Sequence, residues 1–478
     1  MPATHAGVRS ARRPSAGRRA SALLPALALV ALTSVRALSA PPWPDDWDGI
    51  GFVQSVTRFD LDRFSPHTPG YPVYVALLRL AALAPCTPIA AANAVAVVTG
   101  VAAIAFLVAA ISRAFGATAA WTAGAVVASC PLVWRVSSGV GSEAPAFAFA
   151  AMALFGATRS ARDAPWWIGA AIGLGLGVRL SWAPLFLAFL FLAPSGGRSK
   201  AALAALLSTL AWAVPFLAIV GPFHLAALAR AHATGHFEVW GGTVIREPGP
   251  RRLVWLARDL FVDGIGVDGD PLGVAIGVVA AVLAALGLHA WWKSGTPLRA
   301  AALFPLPYLL WIGVGQNLQQ QPRHALPIVV FLALGLALAA NVSKLARALS
   351  ATLLALLAFR TFLDARARLT IAPPGEQLVA FAVSSPVPTA VYGGPSARFF
   401  ELDGDPMGRA AATLGDVRLA VGHLRTLPRR VLVTSELEGV ATSAYPLSHI
   451  ATFCRPPRID RRAPCLDVFD WQAPFLRR

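Results

Sequence analysis

Gly70-Tyr-Pro-Val-Tyr-Val-Ala-Leu-Leu-Arg-Leu-Ala-Ala-Leu83 is the stretch whose reading settles how this chain is threaded. It is apolar, yet it reaches only about two-thirds of the length an α-helix needs to cross a bilayer, follows a run of prolines and carries Arg79. Lysine and arginine collect in loops on the cytoplasmic side of a membrane. If Gly70 to Leu83 does not cross, the connections holding Arg113, Arg159 with Arg162, Arg198 with Lys200, Lys293 with Arg299, and Lys344 with Arg347 all fall on that side. Lys200, Lys293 and Lys344 are the chain's lysines, and all are then inside; Arg135 is a minor exception. A full crossing would turn every one of those clusters outward. The segment is therefore predicted to be a juxtamembrane or re-entrant helix.

The rest of the chain supports a membrane reading. Hydrophobic residues make up 56% of the 478 and charged residues 14%, with a mean hydropathy of +0.60, which demands lipid as a solvent. The net charge of +17 sits in short clusters between apolar runs rather than along one polar face, so it is topological and implies no nucleic-acid partner. Arg9, Arg12, Arg13, Arg18 and Arg19 precede a mainly apolar run from Ala20 to Ala40 and hold its start in the cytoplasm. That run ends in Ala37-Leu-Ser-Ala40, which also reads as a signal-peptidase site; both readings deliver the next segment of the chain to the outside. Further apolar runs cover Pro88 to Ile111, Ala117 to Trp134, Glu143 to Thr158, Pro165 to Arg179, Ala201 to Val220, Leu272 to Trp291, Arg299 to Val314, His324 to Ala340 and Leu345 to Leu363, with a short one from Trp182 to Ala193.

The expected architecture is an all-α polytopic membrane protein of about 11 transmembrane helices, N-terminus in and C-terminus out. Its divisions are a basic cytoplasmic N-terminus (1–19), a transmembrane domain (20–363) with outer loops at 41–87 and 221–271, and an extracytoplasmic C-terminal domain (364–478). In that last part short apolar runs, Thr389 to Tyr392 and Arg430 to Thr434, alternate with Gly, Pro and Asp turns, the pattern of a small α/β or β-rich domain. Cys454 and Cys465 lie close together there and suit a disulfide if the region faces an oxidising compartment.

Polar chemistry gathers in the outer regions. The first loop opens with Pro44-Asp-Asp-Trp-Asp-Gly49, and a partly desolvated aspartate near a membrane surface can take an acceptor's proton; a solvated acidic turn is the other reading. Ser65-Pro-His-Thr-Pro-Gly-Tyr-Pro72 comes next, placing His67 near the exposed N–H groups of a helix start, where an anion is favoured, or where a histidine is incidental. Glu143 stands at the start of a membrane helix, stabilised by the helix dipole and able to face the same cavity as the first loop. Arg179 is flanked on both sides by apolar residues, at a cost of about 2.5 to 3.5 kcal/mol at a helix centre unless it snorkels or meets a lipid phosphate. Gln316, Asn317, Gln319, Gln320, Gln321, Arg323 and His324 precede a long apolar helix, and an arginine fork with amide donors suits phosphate oxygens. His232, His236 and Glu238 in the second loop are spaced for a metal only if the stretch is helical, and Gly235 weakens that; an amphipathic interfacial helix with Arg251, Arg252 and Arg258 toward headgroups is preferred.

In order and sidedness these elements resemble the GT-C class of glycosyltransferases, the superfamily that includes protein O-mannosyltransferases and the enzyme that puts aminoarabinose on lipid A. The resemblance spans roughly residues 20 to 363: an acid after the first span, His67-Thr-Pro-Gly-Tyr-Pro72, Arg113-Ala-Phe-Gly116, Pro131, Ser142-Glu143, Gly177-Val-Arg-Leu-Ser181 and Gln321-Pro-Arg-His-Ala-Leu-Pro327. It implies a GT-C fold, a polyprenyl-phosphate sugar as donor, a glycan, lipid or protein as extracytoplasmic acceptor, inversion at the sugar carbon, and a place in the bacterial inner (plasma) membrane. The base is carried over best onto Asp48, with Asp46 second and Glu143 as a further acid; His67, Arg179, Gln320, Arg323 and His324 would hold the lipid phosphate. Relatives with a DxGE-like element have a second acid where this chain reads Asp48-Gly-Ile-Gly51. No cofactor is called for, a divalent metal being left as an open alternative. A transporter or flippase for a lipid-linked substrate, and a non-catalytic membrane scaffold, are the competing functions.

Overall fold

The computed structural model describes residues 16–240, 242–267, 270–296, 298–318, 321–402, 408–411, 416–417, 420, 430–437, 440, 447–457, 459–460 and 464–471. Helix α1 (Ala16–Leu38) leads to α2 (Trp47–Ser55) and α3 (Pro72–Ala81), which belong to the first polar loop, and then to α4 (Pro88–Phe115). Ten residues give α3 a length of about 15 Å, half the roughly 30 Å hydrocarbon core. Tyr74, Val75 and Leu78 are its buried face, packed on α4, while Leu80 and Leu83 are exposed.

The bundle continues with α5 (Ala117–Ala128), α6 (Pro131–Val136), α7 (Glu143–Gly156), α8 (Ala164–Val178), α9 (Ala183–Ala188) and α10 (Arg198–Val220). The apolar run Ala117 to Trp134, expected as one span, is two helices. Pro131 has no N–H to give and crowds the residue before it, so the chain turns at Cys130 and restarts. The run from Trp182 to Ala193 is likewise broken, into a 3₁₀ turn (Leu180–Trp182), α9 and a second 3₁₀ turn (Phe189–Leu192). Helices α4, α7, α8 and α10 pack in succession around one apolar core. At the α8–α10 seam a Cβ on Gly173 would lie 2.5 Å from the Ala205 carbonyl, so only glycine lets the backbones come this close.

After α10 come α11 (Pro222–Gly235), a π turn (His236–Trp240), α12 (Arg251–Arg258), a second π turn (Asp259–Asp263), α13 (Pro271–Lys293), α14 (Pro305–Gly315), α15 (Leu326–Ala339) and α16 (Lys344–Thr370). Helix α16 runs on past residue 363, where the transmembrane domain was expected to close. Asp364-Ala-Arg-Ala-Arg-Leu-Thr370 contains no breaker, and the first proline comes only at Pro373. Among the described residues, five helical stretches are long and apolar enough to cross a bilayer alone: Pro88–Phe115, Ser195–Val220, Pro271–Lys293, Pro322–Ala339 and Lys344–Val383. Shorter apolar helices surround them.

Beyond α17 (Pro374–Val383) lies a small mixed sheet of β1 (Thr389–Gly393), β2 (Gly408–Ala410), β3 (Arg430–Thr434), β4 (Leu447–Cys454) and β5 (Cys465–Trp471), in the order β2-β1-β3-β5-β4. The β1 pairs with β2 and β3 are parallel, and β5 runs antiparallel to β3 and β4. Cys454 and Cys465 face each other across the β4–β5 ladder and are joined by a disulfide. Ile50 of α2 is wholly buried in the same cluster as Leu378 and Val379 of α17 and Val391, Leu432 and Val468 of the sheet. The first loop and the C-terminal domain therefore share one core.

Candidate active site

Helix α2 is started by its own acid. The Asp46 side chain accepts from the Gly49 N–H at 2.9 Å, an N-cap that places Asp48 in the first turn with its carboxylate free to leave the helix. Gly51 then allows α2 to lie against the Phe64 carbonyl, where a Cβ would collide. The returning arm of the loop carries His67, and Tyr71, with a positive φ of 49°, turns it into α3.

Four separate parts of the chain meet at this loop. Arg323, on the 3₁₀ turn Pro322–Ala325 before α15, donates Nη1 to Asp46 Oδ2 at 2.9 Å and Nη2 to Asp48 Oδ2, and its Nε lies 3.5 Å from Glu143 Oε1. Glu143 is the first residue of α7 and is 2% exposed; Arg179, where α8 ends, approaches its Oε1 at 3.1 Å and donates to Ser142 Oγ at 2.7 Å. His67 completes the group, with Nδ1 3.6 Å from Asp48 Oδ1 and Nε2 hydrogen-bonded to the Tyr71 hydroxyl at 2.7 Å. The sites expected at Asp46, Asp48, His67, Glu143, Arg179 and Arg323 thus form one contiguous network. His324 stands beside it, its carbonyl accepting from the Tyr308 hydroxyl at 2.8 Å. Gln320 lies outside the described residues.

Burial sets the electrostatics. It raises the Asp46 carboxyl above the usual carboxylate range, outweighing the nearby Arg323 guanidinium, with the neighbouring Asp48 charge acting in the same direction as burial. Burial also holds His67 below the ordinary histidine value, against the attraction of Asp48, so the ring is neutral at pH 7. Three carboxylates face two guanidiniums, and the donor Arg179 Nε and the ring nitrogen His324 Nδ1 are buried without a hydrogen-bond partner among the described residues. Buried unpaired donors are costly unless something else satisfies them.

Asp45 belongs elsewhere. Its carboxylate takes Arg368 Nη2 at 2.5 Å and Arg455 Nη1 at 2.9 Å, and Arg368 also donates to Ser138 Oγ at 3.1 Å. The acidic triplet is thus divided between the site and a structural node that ties the first loop to α16 and the C-terminal domain. The second loop departs from expectation too. Arg252 does not reach for headgroups: it is buried, and its guanidinium donates to the carbonyls of Gly313 at 2.8 Å, Gly242 at 2.6 Å and Gln316 at 2.9 Å. The Gly313 and Gln316 carbonyls are left over where α14 ends, Gly242 lies in the second loop, and a planar fork is the group that can collect all three. Arg258 is paired with Asp263 at 3.3 Å. The rings of His232 and His236 stack 6.1 Å apart, and His232 stacks in turn on His67 at 6.3 Å. No group of three or more metal-type ligands occurs among the described residues.

Two solved structures match nearly the whole chain. ArnT from Cupriavidus metallidurans bound to undecaprenyl phosphate shares 12% identity at a TM-score of 0.58, over 96% of this chain and 99% of that one. The apo state of the same ArnT shares 13% at 0.56, over 95% and 98%. This chain has the fold of those two ArnT structures. No family model matches it, and no curated protein does. At 96% of the chain the match extends beyond the residues 20 to 363 on which the sequence resemblance rests.

Sequence reasoning does not single out Tyr71, Tyr308, Arg368, Arg455 or the Arg252 clamp. Arg368 sits in a stretch that reads as the beginning of a separate domain, and Arg455 pairs with an acid 410 residues away, so no local spacing signals either.

Proposed function

We propose that the chain is a membrane glycosyltransferase that moves a sugar from a polyprenyl-phosphate donor to an acceptor hydroxyl or amine outside the cytoplasm. The observation that carries this reading is the meeting of Asp48, Arg323 and Arg179, at the ends of three helical segments, with His67 of the first loop. The fold likeness supports it, since the ArnT structure was solved with undecaprenyl phosphate bound. In this reading about eleven segments cross the membrane, α3 lies along its outer surface, and the C-terminus is outside.

Asp48 takes the proton of the acceptor as its oxygen or nitrogen forms a bond to the anomeric carbon. The bond from that carbon to the phosphate oxygen breaks, and the electron pair leaves on the polyprenyl phosphate. A single displacement inverts the carbon. Arg323 and Arg179, with the unused donor Arg179 Nε, neutralise the departing phosphate. Asp46, whose ionisation burial already disfavours, is the carboxyl that gives up its charge when phosphate competes for Arg323. A transport site would set polar groups at the bilayer midplane between broken helices; here they stand where α7 and α15 begin and where α8 ends.

The test incubates purified protein in liposomes with radiolabelled polyprenyl-phosphate sugars and an extract of envelope acceptors. Wild type is expected to transfer label and Asp48→Asn to lose at least roughly 100-fold, the scale of a general base. Equal transfer by both would overturn the assignment.

A further inference from the structure

Asp48, in the first turn of α2, and His67, in the segment between α2 and α3, lie on two arms of one loop, and what holds those arms together comes from the far end of the chain. Arg398 ends a 3₁₀ turn (Pro395–Arg398) just after β1 and is 9% exposed. Its Nη1 donates to the Trp47 carbonyl at 3.3 Å, the peptide group that leads directly into Asp48. Its Nη2 reaches Gln54 Oε1 at 3.1 Å and the Phe64 carbonyl at 3.4 Å, on the arm that carries His67 three residues later. Gln54 extends the clamp, accepting from Ser65 Oγ at 2.9 Å and donating to Glu401 Oε2 at 3.1 Å. The turn itself is anchored to the sheet, because Ser396 donates its N–H and its hydroxyl to Glu436 just past β3, at 3.0 and 2.5 Å.

We propose that Arg398 is a positioning residue of the C-terminal domain that sets Asp48 and His67 in register with each other. It rests on the reading of Asp48 as the base. The guanidinium touches neither side chain; it acts through the backbone on both sides of them. Lysine keeps the charge but offers one nitrogen, which cannot bridge acceptors on two arms. Misplacement of a reacting group by about 1 Å costs on the order of 100-fold in rate.

The experiment compares wild type with Arg398→Lys, Asp48→Asn and, as a control in the same domain, Arg430→Gln, which removes a sheet ion pair to Asp470. Transfer kinetics and backbone hydrogen exchange are read on the full chain in nanodiscs. Arg398→Lys is expected to lower kcat roughly 10- to 100-fold with KM for the donor within about twofold, and to speed exchange across residues 47–55 and 60–68 while the sheet exchanges as before. Arg430→Gln is expected to match wild type. Wild-type kcat and wild-type exchange in Arg398→Lys would overturn the clamp, as would an equal fall in kcat for Arg430→Gln, which would mark general damage to the domain. If Asp48→Asn keeps full transfer while Arg398→Lys still loosens both arms, the clamp stands and the base assignment falls. If Asp48→Asn loses transfer and Arg398→Lys is unchanged in both readouts, the clamp alone is wrong.

Discussion

Asp45 carries the guanidiniums of Arg368 and Arg455, and both arginines are almost wholly buried. Burial pushes its carboxyl up, but the two guanidiniums more than reverse that and hold it well below the usual carboxylate range. A carboxyl whose value falls on folding contributes stability that is complete above its unfolded value of about 4 and is lost as pH drops from there through the folded value. Asp45→Asn leaves two buried cations without their counter-ion and is expected to destabilise the protein by about 3 to 5 kcal/mol at pH 7. Thermal unfolding in detergent reads this directly: the gap between wild type and variant should be full at pH 7 and narrow below about pH 4. A gap that stays constant with pH would contradict the ion-pair account. Burial first and the neighbouring histidines second push His232 down to about 4. The candidate site was legible residue by residue because helix-end acids and arginines beside apolar runs stand out against a lipid-facing sequence. The partition of Asp45 from Asp46 and Asp48 was not, since neighbouring aspartates differ only in partners hundreds of residues away.

Most helices announce themselves by an unbroken apolar run, and their bounds follow the prolines. What hides is the break inside a run, as at Pro131, and the continuation beyond it, as in α16, where polar helix formers extend a membrane helix into the next domain. The Arg252 clamp is of the second kind: an arginine on a short amphipathic helix reads as a headgroup contact until α14 is seen to end beside it. Each carbonyl it serves would be left buried and unpaired without it, at about 1 to 3 kcal/mol apiece. Arg252→Met keeps the length and removes the donors. We expect faster hydrogen exchange across residues 236–252 and 313–318, with α13 and α15 unchanged; unchanged exchange in both stretches would show that the clamp holds nothing.

On the scale of the whole molecule, the bundle supplies the cations and Glu143, the first loop supplies Asp46 and Asp48, and the C-terminal domain holds the loop through the core around Ile50 and through Arg398 and Arg455. Apolar content and the length of the apolar runs made the helical fold readable. The shared core of α2 and the sheet was not, because it joins segments more than 300 residues apart through ordinary apolar side chains. The central claim is that a lipid phosphate takes Arg323 from the carboxylates that now hold it. Equilibrium binding of undecaprenyl phosphate to the wild type, Asp48→Asn and Arg323→Gln in nanodiscs tests this most directly. The account predicts that Arg323→Gln weakens binding at least tenfold, about 1.4 kcal/mol, and that Asp48→Asn binds as tightly as wild type or more so, having lost a competitor for the same guanidinium. Wild-type affinity in Arg323→Gln, or a loss of affinity in Asp48→Asn, would contradict it.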